Sequence, residues 1–197
     1  MYPFPRLGDQ APIFSARSTE MDCSLENFSN QWLFLLFCHN AFDTIATTEI
    51  LSLKYNINLF SKKNCQPLII TGSSLFSNLA WVHSIYMEKN IEIDLPILED
   101  PTYKIFEAYN CHNYSLKDRS FFIIDTHKKI RWMSHYPESI GMSAKEILRT
   151  LAALQNNDHN ATLTPVDWQP GEQCIIDTIS DRKTMMSIGK QWFYHLQ

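Results

Sequence analysis

The chain has 197 residues, 45% of them hydrophobic, and 17 Lys and Arg against 21 Asp and Glu give it a formal net charge of -4. That length fits one core-forming domain plus a small appendage, and the acidic balance argues against a nucleic-acid partner. No apolar run approaches the ~20 residues that span a bilayer, and Met1-Tyr2-Pro3-Phe4-Pro5 lacks the charged and apolar regions of a signal peptide; a cytoplasmic protein with no membrane partner is the expectation.

In chain order, Trp32 to Cys38 is a continuous apolar run, the pattern of a strand buried on both faces. A helical pattern follows from Thr44 to Phe60, a second apolar run from Leu68 to Thr71, and a second helical pattern from Ser74 to Met87. Asp100-Pro101 has the form of an N-cap followed by proline at the first helical position. Phe121 to Ile124 reads as another buried strand, and Ile130 to Met133 as one that Arg131 interrupts. Ser143-Ala144-Lys145-Glu146 is a capping box before an apolar-periodic stretch ending near Leu154. The polar run Asn156 to Asn160 reads as a hinge. Strands alternating with helices predict an α/β sandwich, with a core at 1–155 and a C-terminal extension at 160–197.

Cys23, Cys38, Cys65, Cys111 and Cys174 are odd in number, widely spaced and form no Cys-x-x-Cys. Reduced thiols are expected, with neither a zinc site nor a dithiol, and no cofactor is implied. Cys111-His112 reads as a surface loop, since adjacent residues rarely chelate one ion. His83, His127, His135, His159 and His195 are scattered and read as solvent-facing, and Phe76, Trp81 and Trp132 as packing or interface aromatics.

One stretch carries more than pattern: Phe37-Cys38-His39-Asn40-Ala41-Phe42-Asp43-Thr44-Ile45-Ala46-Thr47-Thr48-Glu49-Ile50. It resembles the active-site loop of the peroxiredoxins, the AhpC/TSA family, where a strand ending Phe-Ser-His-Pro runs through Thr-Pro-Val-Cys into a helix opening Thr-Thr-Glu. The resemblance continues in order. Leu7-Gly8-Asp9-Gln10-Ala11-Pro12-Ile13-Phe14 is similar to the family's opening, Asn78-Leu79-Ala80-Trp81 to its His-Leu-Ala-Trp helix, and Arg119-Ser120-Phe121-Phe122-Ile123-Ile124-Asp125 to the strand whose leading Arg reaches the site. Thr164-Pro165-Val166-Asp167-Trp168 resembles the start of the extra domain of the one-cysteine branch. A thioredoxin-like fold, a central mixed sheet flanked by helices with a small C-terminal extension, is what this implies. It also implies a homodimer, with Lys128 to Met133 in the region where edge strands pair.

The cysteine that attacks peroxide has no counterpart. Read without a gap from Asn40, its place falls on Thr47; aligned from Thr-Thr-Glu, it falls on Ala46. Peroxide reduction needs a thiolate, which neither residue supplies. Met142 also replaces a second Arg, and the Asp100 to Asp118 segment is shorter than the family's.

The resemblance places His39, Thr44 and Arg119 as candidate catalytic residues, and Asn40, Thr47, Glu49 and Trp81 as candidate substrate-binding residues. Cys38 is the candidate surrogate thiol, although burial in a strand argues for an inert one and alternation puts it on the opposite face from His39. The competing structural account is that Thr44 caps a helix and Arg119 pairs with Glu49. Three functions follow. The first is a pocket repurposed for cysteine-independent chemistry on a small polar or carboxylate-bearing metabolite, in a biosynthetic role. The second is a non-catalytic pseudo-peroxiredoxin that binds a ligand or a partner protein. The third is a residual thiol peroxidase using Cys38. Trp192-Phe193-Tyr194 reads either as a cover for a partner's pocket or as a satellite cluster.

Overall fold

In the computed structural model, residues 4–111, 118–176 and 181–188 are described, and the chain forms two compact units, 1–144 and 145–197. The first opens with a short antiparallel ribbon of β1 (Ser15–Ala16) and β2 (Cys23–Ser24). The main elements follow as β3 (Trp32–Cys38), α1 (Thr44–Lys62), β4 (Cys65–Thr71), α2 (Leu75–Lys89), β5 (Ile97–Glu99), α3 (Lys104–Ala108), β6 (Asp118–Ile124) and β7 (Ile130–Pro137). The five longer strands form one mixed sheet in the order β5-β4-β3-β6-β7. β3 runs parallel to β4 and antiparallel to β6.

β3 is central, and its seven residues are buried on both faces, as its unbroken apolar run demands. Leu33, Leu35 and Phe37 face a core shared with Leu68, Ile70, Phe122, Ile105, Phe106 and Tyr109. Phe34 points the other way, stacking on Phe60 of α1 at 6.0 Å and on Phe121 at 6.4 Å. Each such fully buried side chain stabilises the fold by roughly 1.5–3 kcal/mol. The alternation decides which face each functional residue joins: Cys38 belongs with α1, His39 with α3.

β4 begins three residues before the predicted Leu68 and includes Pro67. Pro67 pairs opposite Phe34 of β3, while pairing with β5 starts only at Ile69. The missing N–H therefore falls where β4 is still an edge. β6 likewise begins at Asp118 rather than Phe121, because its polar first turn of residues still pairs with β7, Arg119 opposite Tyr136. β7 extends past the predicted Met133 to Pro137 and is an edge strand, its first residue tied by Ile130 N–H to the Asp9 carbonyl at 3.0 Å.

Three expectations change. Asp100 does cap α3, but from further away: its carboxylate accepts the N–H groups of Lys104, Ile105 and Phe106 at 3.0, 2.8 and 3.0 Å, and Pro101 lies in a turn outside the helix. Cys111 is buried, 1% exposed, rather than on a surface loop. Asn156 to Asn160 is no hinge but the last turns of α4 (Ala144–Asn160), where Asn160 donates to Asn156 Oδ1.

Within the second unit, a small cluster joins Ala152 of α4 to Trp168 and Cys174. Arg149 bridges Glu146 and the Trp168 carbonyl. Its described residues also form a short ribbon of β8 (Thr162–Leu163) and β9 (Ile175–Ile176) and the helix α5 (Arg182–Ile188). His112, Trp192, Phe193, Tyr194 and His195 lie outside the described residues.

Candidate functional site at the ends of β3 and β6

The loop after β3 is stitched to the one after β4. Gly72 N–H donates to the His39 carbonyl at 3.1 Å, and Ala41 N–H to Ser73 Oγ at 2.9 Å. A Cβ at Gly72 would lie 2.5 Å from the Tyr103 ring and 2.8 Å from the His39 oxygen, so the approach requires glycine. Asn40 is exposed on this loop. Phe42, a residue 55% exposed, then takes a left-handed φ of 63°, a conformation that costs a bulky residue roughly 1–3 kcal/mol and turns the chain into α1.

Asp43, not Thr44, is the N-cap of α1. Its Oδ1 accepts Ala46 N–H at 2.6 Å. Thr44 is the first helical residue and is exposed. Ala46 is fully buried, and the first turn, Thr44 to Thr47, holds no cysteine. Thr47 Oγ1 donates to the Asp43 carbonyl at 2.7 Å and accepts Trp81 Nε1–H at 3.0 Å. Trp81 is 1% exposed with its one donor spent on Thr47, so this pair serves packing.

Arg119 sits at the centre of the α1 face, 2% exposed. Its Nε donates to both Glu49 carboxylate oxygens at 3.1 and 3.0 Å, and Nη2 donates to Oε2 at 2.5 Å. Its Nη1 donates to Asp43 Oδ1 at 3.1 Å. Glu49 also accepts Met142 N–H at 2.9 Å, so the backbone at Met142 donates where a second Arg was expected to be lost. Burial works to lower the Arg119 pKa, but the hydrogen bonds and charge of Glu49, helped by Cys38 and Asp43, outweigh it and hold the group above its ordinary value. Two carboxylates against one guanidinium leave an excess negative charge. Cys38 lies in the same field, 1% exposed; burial pushes its thiol far up, and the pull of Arg119 does not compensate.

His39 does not join this group. Its ring packs on Phe106 at 5.4 Å and Tyr103 at 6.4 Å on the α3 face. There its Nε2 lies 4.0 Å from Asp118 Oδ1, while Asp118 Oδ2 lies 3.4 Å from His135 Nδ1. Ser120 Oγ lies 2.8 Å from that same Nδ1. Because Ser120 and Asp118 both address one imidazole nitrogen, and Ser120 is fully buried, this is not a nucleophile–base–carboxylate relay. His135 is exposed, as are His83, His127 and His159, and it also takes part in this cluster.

The structure therefore divides the residues singled out from sequence. Arg119, Glu49, Thr47, Trp81 and Cys38 gather on the α1 face, His39 on the other, with Thr44 and Asn40 at the solvent edge. Asp43, Asp118, Ser120 and His135 are additional members. Asp43 had a readable signal, a capping residue directly before a helical pattern; the others depend on β6–β7 register. Among the described residues no group of three His, Cys, Asp or Glu side chains is placed to hold a metal ion, and no helix is long and apolar enough to cross a membrane.

A mixed five-stranded sheet with flanking helices, and an Arg–Glu pair joining β6 to the helix after β3, define a thioredoxin-like α/β protein of the peroxiredoxin type. The comparisons make the family definite: the chain belongs to the AhpC/TSA family, whose model matches residues 7–133. It is 36% identical to peroxiredoxin 2 of Picrophilus torridus over 95% of this chain and 96% of that one. It is 31% identical to a peroxiredoxin of Methanosarcina mazei, over 98% and 97%. Among solved structures, the yeast mitochondrial 1-Cys peroxiredoxin superposes with a TM-score of 0.81 at 26% identity, covering 87% of this chain and 86% of that one. The reduced 2-Cys peroxiredoxin of Plasmodium vivax gives 0.80 at 25%, over 86% and 92%.

Proposed function

We propose that this chain lacks the peroxidatic cysteine and serves as a non-catalytic pseudo-peroxiredoxin, binding a small-molecule ligand or a partner protein through the inherited fold. The observation that carries this is the state of Arg119. Its charge is engaged by Asp43 and Glu49, and no sulfur stands in the first turn of α1. The Arg119–Glu49 pair supports alignment from the Thr-Thr-Glu side, with Ala46 in the cysteine's place and Asp43 in that of the first Thr of Thr-Pro-Val-Cys. Thr47, the other candidate, already spends its hydroxyl on Asp43 and Trp81.

The family relationship sets the lineage and the fold, while chemistry depends on the site. Cys38 is a poor surrogate because a buried, protonated thiol is a weak nucleophile. The test is brief exposure of the full chain to stoichiometric hydrogen peroxide with a sulfenic-acid trap, read by peptide mass spectrometry. No thiol is expected to label faster than free cysteine. Rapid, selective labelling of Cys38 would restore the residual peroxidase and end this reading.

A second reading, cysteine-independent chemistry on a small polar or carboxylate-bearing metabolite, is favoured by one observation: Asp118 held between His39 and His135. Turnover lost in His39→Ala but kept in Arg119→Ala would select it, with His39 as acid or base. The edge position of β7 supports a homodimer, checked by a solution mass of twice the 23.0 kDa chain. Five buried, unbridged thiols support a reducing, cytoplasmic setting.

A further inference from the structure

We propose that Asp43 is an intramolecular anion that occupies the free edge of the Arg119 guanidinium and keeps anions from solution off it. This rests on the reading above that Ala46 stands in the cysteine's place, and it assigns to Asp43 the regulation of that same site. The carboxylate sits where two groups favour negative charge, the first-turn amide of Ala46 at 2.6 Å and Arg119 Nη1 at 3.1 Å.

The two carboxylates on Arg119 are not equivalent. Glu49 is 1% exposed at its side chain, meets Arg119 through both oxygens and also holds Met142 N–H; it is the anchor. Asp43 is 24% exposed and gives one oxygen, so it is the group an incoming anion would have to displace. A tethered carboxylate competes at an effective concentration that a dilute solute does not reach. An anion that did enter would meet an excess of negative charge. The site is therefore closed twice, once by Ala46, which offers no thiol, and once by Asp43, which spends the field that would ionise one.

The test compares full-length Ala46→Cys with Ala46→Cys/Asp43→Asn, using the wild-type chain as the blank for its native thiols. Asn keeps the N-cap oxygen while removing the charge. Thiolate absorbance followed against pH is expected to show the new thiol ionising about one pH unit lower in the double variant. Alkylation by iodoacetamide, in which the thiolate displaces iodide, is expected to run about three-fold faster at pH 7, the gain in thiolate being partly offset by lower nucleophilicity. Equal ionisation in the two variants overturns the proposal.

A second arm needs no new cysteine. Formate, the smallest carboxylate, is titrated against the wild-type chain and Asp43→Asn while the Arg119 Nε–H resonance is followed. A saturable shift in Asp43→Asn that the wild type lacks supports the proposal, and the same shift in both, or in neither, overturns it. Peroxide consumption by the wild-type chain would instead defeat the pseudo-peroxiredoxin reading, so the two failures are distinguishable.

Discussion

The ends of β3 and β6 carry two charged clusters, one on each face of the sheet, and they are built on opposite principles. On the α1 face, Arg119 and Glu49 are almost completely buried, and together with Asp43 they tie β6 to the helix start. On the α3 face, Asp118 lies between His39 and His135 at 4.0 and 3.4 Å, with its side chain 28% exposed and that of His135 37% exposed. The first cluster has multiply bonded contacts in a dry setting; in the second, His39 Nε2 and Asp118 Oδ1 are buried but 4.0 Å apart, and only the His135 end opens to water. The difference separates a fully buried, multiply bonded element from a looser cluster with one end at solvent. It also explains why the residues grouped by sequence resemblance do not form one pocket: adjacent residues on a strand face opposite ways.

The sharpest way to break the contrast is Arg119→Ala. It strands the buried Glu49 carboxylate without its partner, and losing one member of a buried pair typically costs about 3–5 kcal/mol. Urea unfolding of wild type and variant should show that loss as a lower midpoint at unchanged slope. A cost under about 1 kcal/mol, the range of an exposed pair, would mean the two clusters do not differ in kind.

Alkaline pH gives a second, smaller effect on the same face. Burial raises the Cys38 thiol well above its ordinary value, so the folded chain holds a proton that the unfolded chain releases. For such a group stability is fully present below the unfolded pKa, near ~8.5, and falls as pH rises towards the folded value. At pH 10 the loss attributable to Cys38 is about 2 kcal/mol, one and a half units at ~1.4 kcal/mol each. Cys65 and Cys111, raised for the same reason, add slopes of their own. Cys38→Ala should flatten the decline between pH 8 and 10 relative to wild type; an unchanged slope would show that solvent already reaches Cys38.

What was legible in the sequence follows the same division. The apolar run of β3 and the helical period of α1 and α2 are strong local signals, and both appear within a residue or two of the predicted bounds. β5, α3 and the two-residue strands carry too few residues for any period, and the polar start of β6 depends on cross-strand partners, Tyr136 on β7 for Arg119, and His135 on β7 with Phe37 on β3 for Ser120. At the site, the Arg119–Glu49 pair was readable from the family pattern and from charge. Asp43 is open to view as a capping residue, but reading the motif without a gap from Asn40 puts Thr44 in place of the family's threonine, whereas the alignment from Thr-Thr-Glu puts Asp43 there. The Asp118–His135 contact was not legible at all, because it depends on a cross-strand register that sequence spacing does not reveal.

The smallest effect tests the other half of the contrast. Asp118→Asn keeps the shape of the α3-face cluster and removes its negative charge. The exposed contact to His135 contributes about 0–1 kcal/mol and weakens with salt, so its share of the change in unfolding midpoint should be slight at low ionic strength and vanish near 1 M salt. The His135 ring should report the change more strongly than stability does. Without the carboxylate 3.4 Å from Nδ1, the ring loses a charged neighbour, and its NMR resonances should move when compared with wild type at one fixed pH. Arg119→Lys, by contrast, should leave those resonances where they are, because the guanidinium faces the other side of the sheet. A His135 shift that followed Arg119 rather than Asp118 would join the two clusters into one electrostatic unit, and the division between a closed face and one open to solvent at one end would have to be given up.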